Sequence, residues 1–256
     1  MDWQRLSVIL PSILFCVVGA VELRWPRIPL TLPSAPRWLV HFALFLLNSW
    51  LPVLVLRTSG YSLAVAGQGT LGFIPFLLIA DFALWCSHYI LHHTRPGWAF
   101  HAVHHSDPDY DVSTAFRFHP AESIWESAIT LGLVWLLAPT PTAYLLYILA
   151  SHAANFFVHA NLTIPDSLQR PLSWVLVTPS LHRAHHSTEL HHQLSNYGVI
   201  FSIWDRLFST LQVPTEIPSL GLPSVSPPQS ISPAHLLLRL PACELRSPSQ
   251  VPNRNP

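Results

Sequence analysis

The sequence predicts an all-α protein: an integral-membrane helical bundle with a histidine-rich cytoplasmic cap holding a dinuclear metal site. Three observations predict it. Half of the 256 residues are apolar; several apolar stretches reach the length that crosses a bilayer; and most of the sixteen histidines gather in two short windows that repeat one spacing. Residues 1–70 read as N-terminal membrane helices, 71–212 as the unit carrying the histidine windows, and 213–256 as a proline-rich, disordered tail.

Three stretches are long enough to span: Leu6 to Leu23, Trp38 to Leu56 and Leu71 to Leu91. Mean hydropathy is +0.35. The ten tryptophans lie largely near segment ends, where an interfacial aromatic belt sits. The first stretch lacks a small-residue cleavage site and is read as a membrane helix, not a signal peptide. A fourth apolar region, Ser127 to Val158, is too long for one simple span and is broken at Pro139-Thr140-Pro141. A single crossing would put the histidine windows on opposite faces of the bilayer, so the Pro-Thr-Pro break is expected to turn a helical hairpin. Every basic residue is arginine, and Arg24, Arg27 and Arg37 follow the first span. The positive-inside rule assigns that loop, and with it both windows, to the cytoplasm. Arg5, ahead of the first span, pulls the other way.

The first window reads His88-x3-His92-His93, then His101-x2-His104-His105, then His119; the second reads His182-x2-His185-His186. Residues at i, i+3, i+4 and i+7 share a helix face, so each group offers two or three imidazoles to a common point. Neutral imidazole is a leading protein ligand for transition metals. Together the groups exceed what one tetrahedral or octahedral ion accepts, which predicts two neighbouring metals. Cys16, Cys86 and Cys243 stand singly, without the paired spacing of a structural zinc site or a disulfide framework. A haem would use only one or two of these histidines. His41, His152 and His235 read as hydrogen-bonded core residues.

At these positions the chain resembles the fatty acid hydroxylase and sterol desaturase superfamily of integral-membrane di-iron enzymes. The resemblance runs through His88-x3-His92, His101-x2-His104-His105-Ser106, Arg117-Phe118-His119-Pro120-x-Glu122, His159-Ala160-Asn161, Pro179-x2-His182-x2-His185-His186-Ser187, Asn196-Tyr197-Gly198 and Trp204-Asp205-Arg206-Leu207-Phe208. It implies a four-helix membrane bundle, two irons, and oxygen-dependent oxidation of a lipid C–H bond by the 71–212 unit. It places metal ligands at His88, His92, His101, His104, His105, His182, His185 and His186, with His159 as an additional histidine. It gives His119 a metal-adjacent or substrate-facing catalytic role. Asp81, Asn161, Asn196 and Asp205 either orient imidazoles through their second ring nitrogen or cap helix ends. Tyr89 and Phe208-Ser209-Thr210 depart from the pattern without removing a ligand.

Zinc has no redox chemistry, so a catalytic site of this kind favours iron, with O2 as cosubstrate. A site at the membrane face receives acyl chains, sterols or related lipids. Whether the product is an alcohol or an alkene stays open. No dinucleotide fingerprint or cytochrome-type haem motif is present. Electrons are therefore expected from an external NAD(P)H-dependent donor, with the resemblance implying cytochrome b5 or ferredoxin and its reductase. Zero net charge argues against nucleic acid. A histidine-rich membrane metal transporter or metal-binding protein is the alternative. Against it, the ionisable residues gather at span ends and in the cap instead of along the spans.

Overall fold

The apolar stretches are helical throughout the computed structural model, which describes residues 3–58, 70–216 and 219–246. Helices α1 (Trp3–Arg24), α2 (Ser34–Thr58) and α3 (Phe73–His93) cover the three apolar stretches. Helices α5 (Pro120–Leu137) and α6 (Pro141–His159) form the expected hairpin. Its turn is set by sequence: Ala138 takes a left-handed conformation (φ 42°), and the Thr140 hydroxyl accepts from the Ala143 amide at 3.1 Å to start α6. Pro141 then occupies the first helical turn, where no amide hydrogen is needed.

Among the described residues, Arg5–Arg24 and Phe73–His93 are long and apolar enough to cross a membrane. Much of α1 is exposed, including Val8 at 65% and Val17 at 54%. Such a surface suits lipid better than water. Trp25 and Trp174 are exposed near the cap, and Trp50 and Trp135 toward the other end.

Helix α1 packs on α6, α2 on α5, and α3 on both hairpin helices. At the end away from the histidines, the Leu71 carbonyl accepts from Thr140 N at 3.0 Å, and Leu71 N donates to the Ala138 carbonyl at 3.4 Å. The chain just before α3 is thereby tied to the hairpin turn. Both histidine windows consequently fall at the opposite end of the bundle.

There the chain folds into a cap of short helices: α4 (Arg95–His105), a 3-10 turn (Val112–Phe116), α7 (Asp166–Leu172), α8 (Pro179–His185), α9 (Leu190–Gln193) and α10 (Ile203–Leu207). Buried ionic groups dock it on α1 and α2. Arg37 pairs with Asp107 at 3.0 Å and Asp111 at 2.6 Å, and the Glu22 carboxylate accepts from the amides of Val112 and Asn161. Thr31 and Leu32 donate backbone amides to Asp109, each at 2.8 Å.

The segment expected to be disordered is partly ordered. Helices α11 (Pro227–Ser230) and α12 (Leu240–Arg246), with a π-helical turn between them (His235–Arg239), lie on the cap. Leu236 and Leu240 share a cluster with Val40, Leu44, Trp98, Ala102 and Val103. The four-residue spacing of these leucines buries one face of the segment, which outweighs its proline content.

Leu236→Ala and Leu240→Ala should each lower stability by about 2–5 kcal/mol, the usual range for emptying a packed leucine site. Leu238→Ala, at a position 72% exposed, should change it little. Thermal unfolding of the purified protein in detergent checks both.

Candidate metal centre

Four helices deliver nine imidazoles to one place. His88 and His92 stand one turn apart at the end of α3, and His101, His104 and His105 line one face of α4. His159 is the last residue of α6, and α8 carries His182 and His185 with His186 just past its end. All nine are buried. They divide into two adjoining groups: His88, His92, His101, His105 and His185, and His104, His159, His182 and His186. Within each group one ligand atom per residue lies within 4.8 Å of all the others. The His105 and His186 rings stack across the boundary, with centroids 4.4 Å apart.

The outer nitrogens show how the rings are aimed. Nδ1–H of His88 donates to the Tyr197 carbonyl (2.9 Å), that of His104 to Arg117 (3.2 Å), that of His159 to Asn155 (2.8 Å) and that of His185 to Ser195 (2.6 Å). His101 Nδ1 shares a hydrogen bond of 2.6 Å with the Glu122 carboxyl. A carbonyl cannot donate, so the four carbonyl-bound rings, when neutral, carry their proton on Nδ1 and present a bare Nε2 inward. Among these four, inward Nε2 atoms meet at 3.0 Å (His88–His185) and 3.2 Å (His104–His159). Lone pair facing lone pair is no hydrogen bond. A shared cation resolves it, because nitrogens about 2.0–2.1 Å from one ion are naturally near neighbours of each other.

The nitrogens without partners agree. Both ring nitrogens of His92, Nδ1 of His105 and His182, and Nε2 of His186 are buried with no hydrogen bond. Burial first, and then the neighbouring imidazoles, hold His104, His105, His182, His185 and His186 well below the ordinary histidine pKa. These rings are therefore neutral and able to ligate at physiological pH. The residues present fit two metal ions.

His119 does not join them. Its Nδ1 accepts from the Ala121 amide at 3.1 Å, capping α5, and its Nε2 meets the Leu237 carbonyl at 3.3 Å. With both nitrogens occupied it has no lone pair for a metal, and it lies outside the cavity described below. The expected imidazole-orienting groups are also placed differently. Asp81 accepts from the amides of Ile200 and Phe201 and from the Trp204 indole, and Asp205 from the amides of Tyr197 and Gly198 and the Trp85 indole. Asn161 bonds Ile28, and Asn196 bonds Leu181 and Gln212. These groups fix loops, and they reach the rings only through backbone carbonyls such as that of Tyr197. Gly198 sits in such a loop, where a Cβ would come within 2.7 Å of Val177 and 2.9 Å of the Asp205 carboxylate.

Glu122 is the orienting group that sequence reasoning overlooked. It was visible as the acid three residues after His119. His41 is buried as expected, between Ser113 Oγ at 2.8 Å and the Arg117 guanidinium at 3.0 Å. Arg117 also donates to the Val103 and Ser230 carbonyls and to Ser106 Oγ, so it fastens the end of α4 to the tail. His191 and His192 stand with Glu189 on the cap's outer surface, apart from the nine.

A cavity of about 190 Å3 opens on both groups at once, touching His88 and His101 from one and His104, His159 and His182 from the other. Leu84, Phe118, Val158 and Val199 supply apolar walls.

With that geometry in place, comparison with known proteins gives the class. The sequence model of the family described as fatty acid hydroxylase matches residues 73–210, over half the chain, and the chain belongs to that family. It is similar to an ornithine lipid hydroxylase of Rhizobium tropici, with 36% identity over 140 residues, 54% of this chain and 41% of that protein. It is also similar to the alkylglycerol monooxygenases of Xenopus tropicalis and Homo sapiens. The first is 33% identical over 132 residues, 51% of this chain and 28% of the relative. The second is 32% identical over 142 residues, 56% of this chain and 31% of the relative. The match thus spans less than half the length of these curated relatives. No solved structure matches the chain.

His185→Ala should lose bound metal almost completely. Glu122→Ala, which frees the His101 ring to turn, should weaken metal retention about 10–100-fold. His235→Ala should do neither, and metal analysis of the purified proteins after dialysis against a chelator series checks all three.

Proposed function

We propose that this protein is a membrane-bound di-iron oxygenase that oxidises an unactivated C–H position of a lipid with O2. Electrons come from an external NAD(P)H-dependent donor, cytochrome b5 or ferredoxin with its reductase. One observation carries the reading: two adjoining all-imidazole groups face a single cavity with apolar walls. When bound, iron supplies oxygen activation, which zinc in the same ligands would not.

The chain's own residues do the rest. The nine imidazoles would hold the metals, the Glu122 carboxyl orients the His101 ring, and the carbonyls of Tyr197, Arg117, Asn155 and Ser195 keep the protons of four further rings on their outer nitrogens. Leu84, Phe118 and Val199 receive the alkyl segment and keep bulk water from it. Relatives named as a hydroxylase of ornithine lipids and as monooxygenases of alkylglycerols favour hydroxylation over desaturation. A transporter would need a route for ions past the site, whereas these imidazoles converge on closed groups at one end of the bundle.

Iron-loaded protein supplied with a reductase system, a lipid extract and isotopically labelled O2 should yield lipid alcohols carrying the label, and His104→Ala should yield none. Unlabelled products, or equal turnover under nitrogen, would sink the proposal.

The arginines after α1 support a cap on the cytoplasmic side. Single cysteines at Arg95 and Glu189, introduced into a cysteine-free protein, should both label from the cytoplasmic side of sealed vesicles. Labelling from opposite sides would exclude one shared site.

A further inference from the structure

Among the described residues, a further group of metal-ligating side chains comes together outside the nine: Glu189, His191 and His192. It lies on the outer surface of the cap, just past the second histidine window, and the buried centre makes no use of it. Its backbone is pinned. The Ser187 hydroxyl accepts from the Glu189 amide at 3.0 Å, and Thr188 N donates to the Ser219 carbonyl at 2.9 Å. The amides of His192 and Gln193 each donate to the Glu189 carbonyl at 3.0 Å. The His192 carbonyl in turn accepts from the Ser195 amide at 3.1 Å and from the Ser195 hydroxyl at 2.5 Å. A bonded turn, not a loose loop, therefore presents the three side chains.

One carboxylate oxygen serves both rings. Glu189 Oε2 lies 3.6 Å from His191 Nδ1 and 3.8 Å from His192 Nδ1, and the two ring centroids are 4.0 Å apart. These separations are too long for hydrogen bonds. They are close to the edge, about 3.3 Å, of a tetrahedron whose corners lie at zinc–ligand distance from one ion. Shifts of about 0.5 Å or less close the difference, and the His191 and Glu189 side chains, 60% and 59% exposed, are free to make them. His192 is less free. Its side chain is 20% exposed, and its Nδ1 is buried with no hydrogen-bond partner. A buried nitrogen that faces a carboxylate and bonds nothing is costly, and an ion between the two satisfies both.

We propose that Glu189, His191 and His192 bind one divalent transition-metal ion, separate from the ions the nine imidazoles would hold. Two imidazoles and one carboxylate suit zinc, nickel, copper or ferrous iron, whereas magnesium and calcium favour oxygen ligands throughout. Three protein ligands leave coordination positions to water, so the ion exchanges with solution. The site stands independently of the oxygenase reading.

The test is equilibrium dialysis of the full-length protein, without an affinity tag and in detergent micelles, against zinc at about 0.1–100 μM. Zinc and iron per chain are measured on the same sample. The wild type should bind one zinc more than His191→Asn or His192→Asn, with half-filling on the order of 1–10 μM, weaker than four-ligand structural sites. Each of these substitutions, and Glu189→Gln, should weaken the extra ion at least about tenfold, because groups one step removed from a metal already cost about 10–100-fold. His235→Asn should keep it. Unchanged metal in the buried groups of the variants shows that the cap stays folded, and Glu189→Gln preserves the side chain's shape as a second check. Magnesium at about 5 mM should not displace the extra zinc. Equal zinc per chain in the wild type and both histidine variants, or displacement by magnesium, overturns the proposal. Because the readout is a difference between wild type and variant, it does not depend on which metals fill the buried groups, and its failure leaves the oxygenase reading standing.

Discussion

Nine imidazoles buried with their lone pairs converging are unstable company unless something positive stands between them, and the rest of the cap is arranged around that constraint. Each ring that is held is held from behind, by a carbonyl that accepts its outer proton or, for His101, by the Glu122 carboxyl. Those acceptors must themselves stay still. The Tyr197 carbonyl can face His88 because Asp205 binds the amides of Tyr197 and Gly198, and Glu122 can face His101 because it sits in the first turn of α5, started by the His119 cap.

The same logic explains the buried charges away from the rings. Arg37, Asp107 and Asp111 form a desolvated network whose net contribution to stability is small, because removing charges from water offsets much of their attraction. Breaking it is another matter: one unpaired buried partner costs about 3–5 kcal/mol. The network therefore acts mainly to select one placement of the loop that joins α4 to α5, and that loop sets the angle of the α4 histidines.

The histidine groups were legible in the sequence because helical spacing translates directly into side-chain direction: the i, i+3, i+4 triplets of α4 and α8 had only one way to point together. The hairpin was legible for a similar reason, since Pro139 and Pro141 leave the backbone little choice. What escaped was decided by tertiary partners. Glu122 looks like any acid near a helix start until His101 is brought to it from another helix. His119 reads in the sequence as a metal-adjacent or substrate-facing group, and only the Ala121 amide and the Leu237 carbonyl reveal a cap. Asp81 and Asp205 read in the sequence as imidazole-orienting groups or helix caps, but their partners are backbone amides more than a hundred residues away in one case and a neighbouring turn in the other. In the tail, proline density concealed the four-residue spacing of Leu236 and Leu240.

The short tie between Leu71 and the hairpin turn has a mechanical consequence. It joins the start of α3 to the α5–α6 turn at one end of the bundle, while at the other end His88 of α3 meets His185 and His159 of α6 meets His182, both on α8, so α3 is held at both ends against sliding along its neighbours. Bilayers differ in thickness, and a helix bundle ordinarily relieves a mismatch by tilting, stretching the surrounding lipid or shifting single helices. Here the last route is closed. Changes in membrane thickness are taken up by the bundle tilting as one body or by the lipid around it, and the spacing between the α3 and α6 imidazoles is insulated from the membrane in which the protein sits.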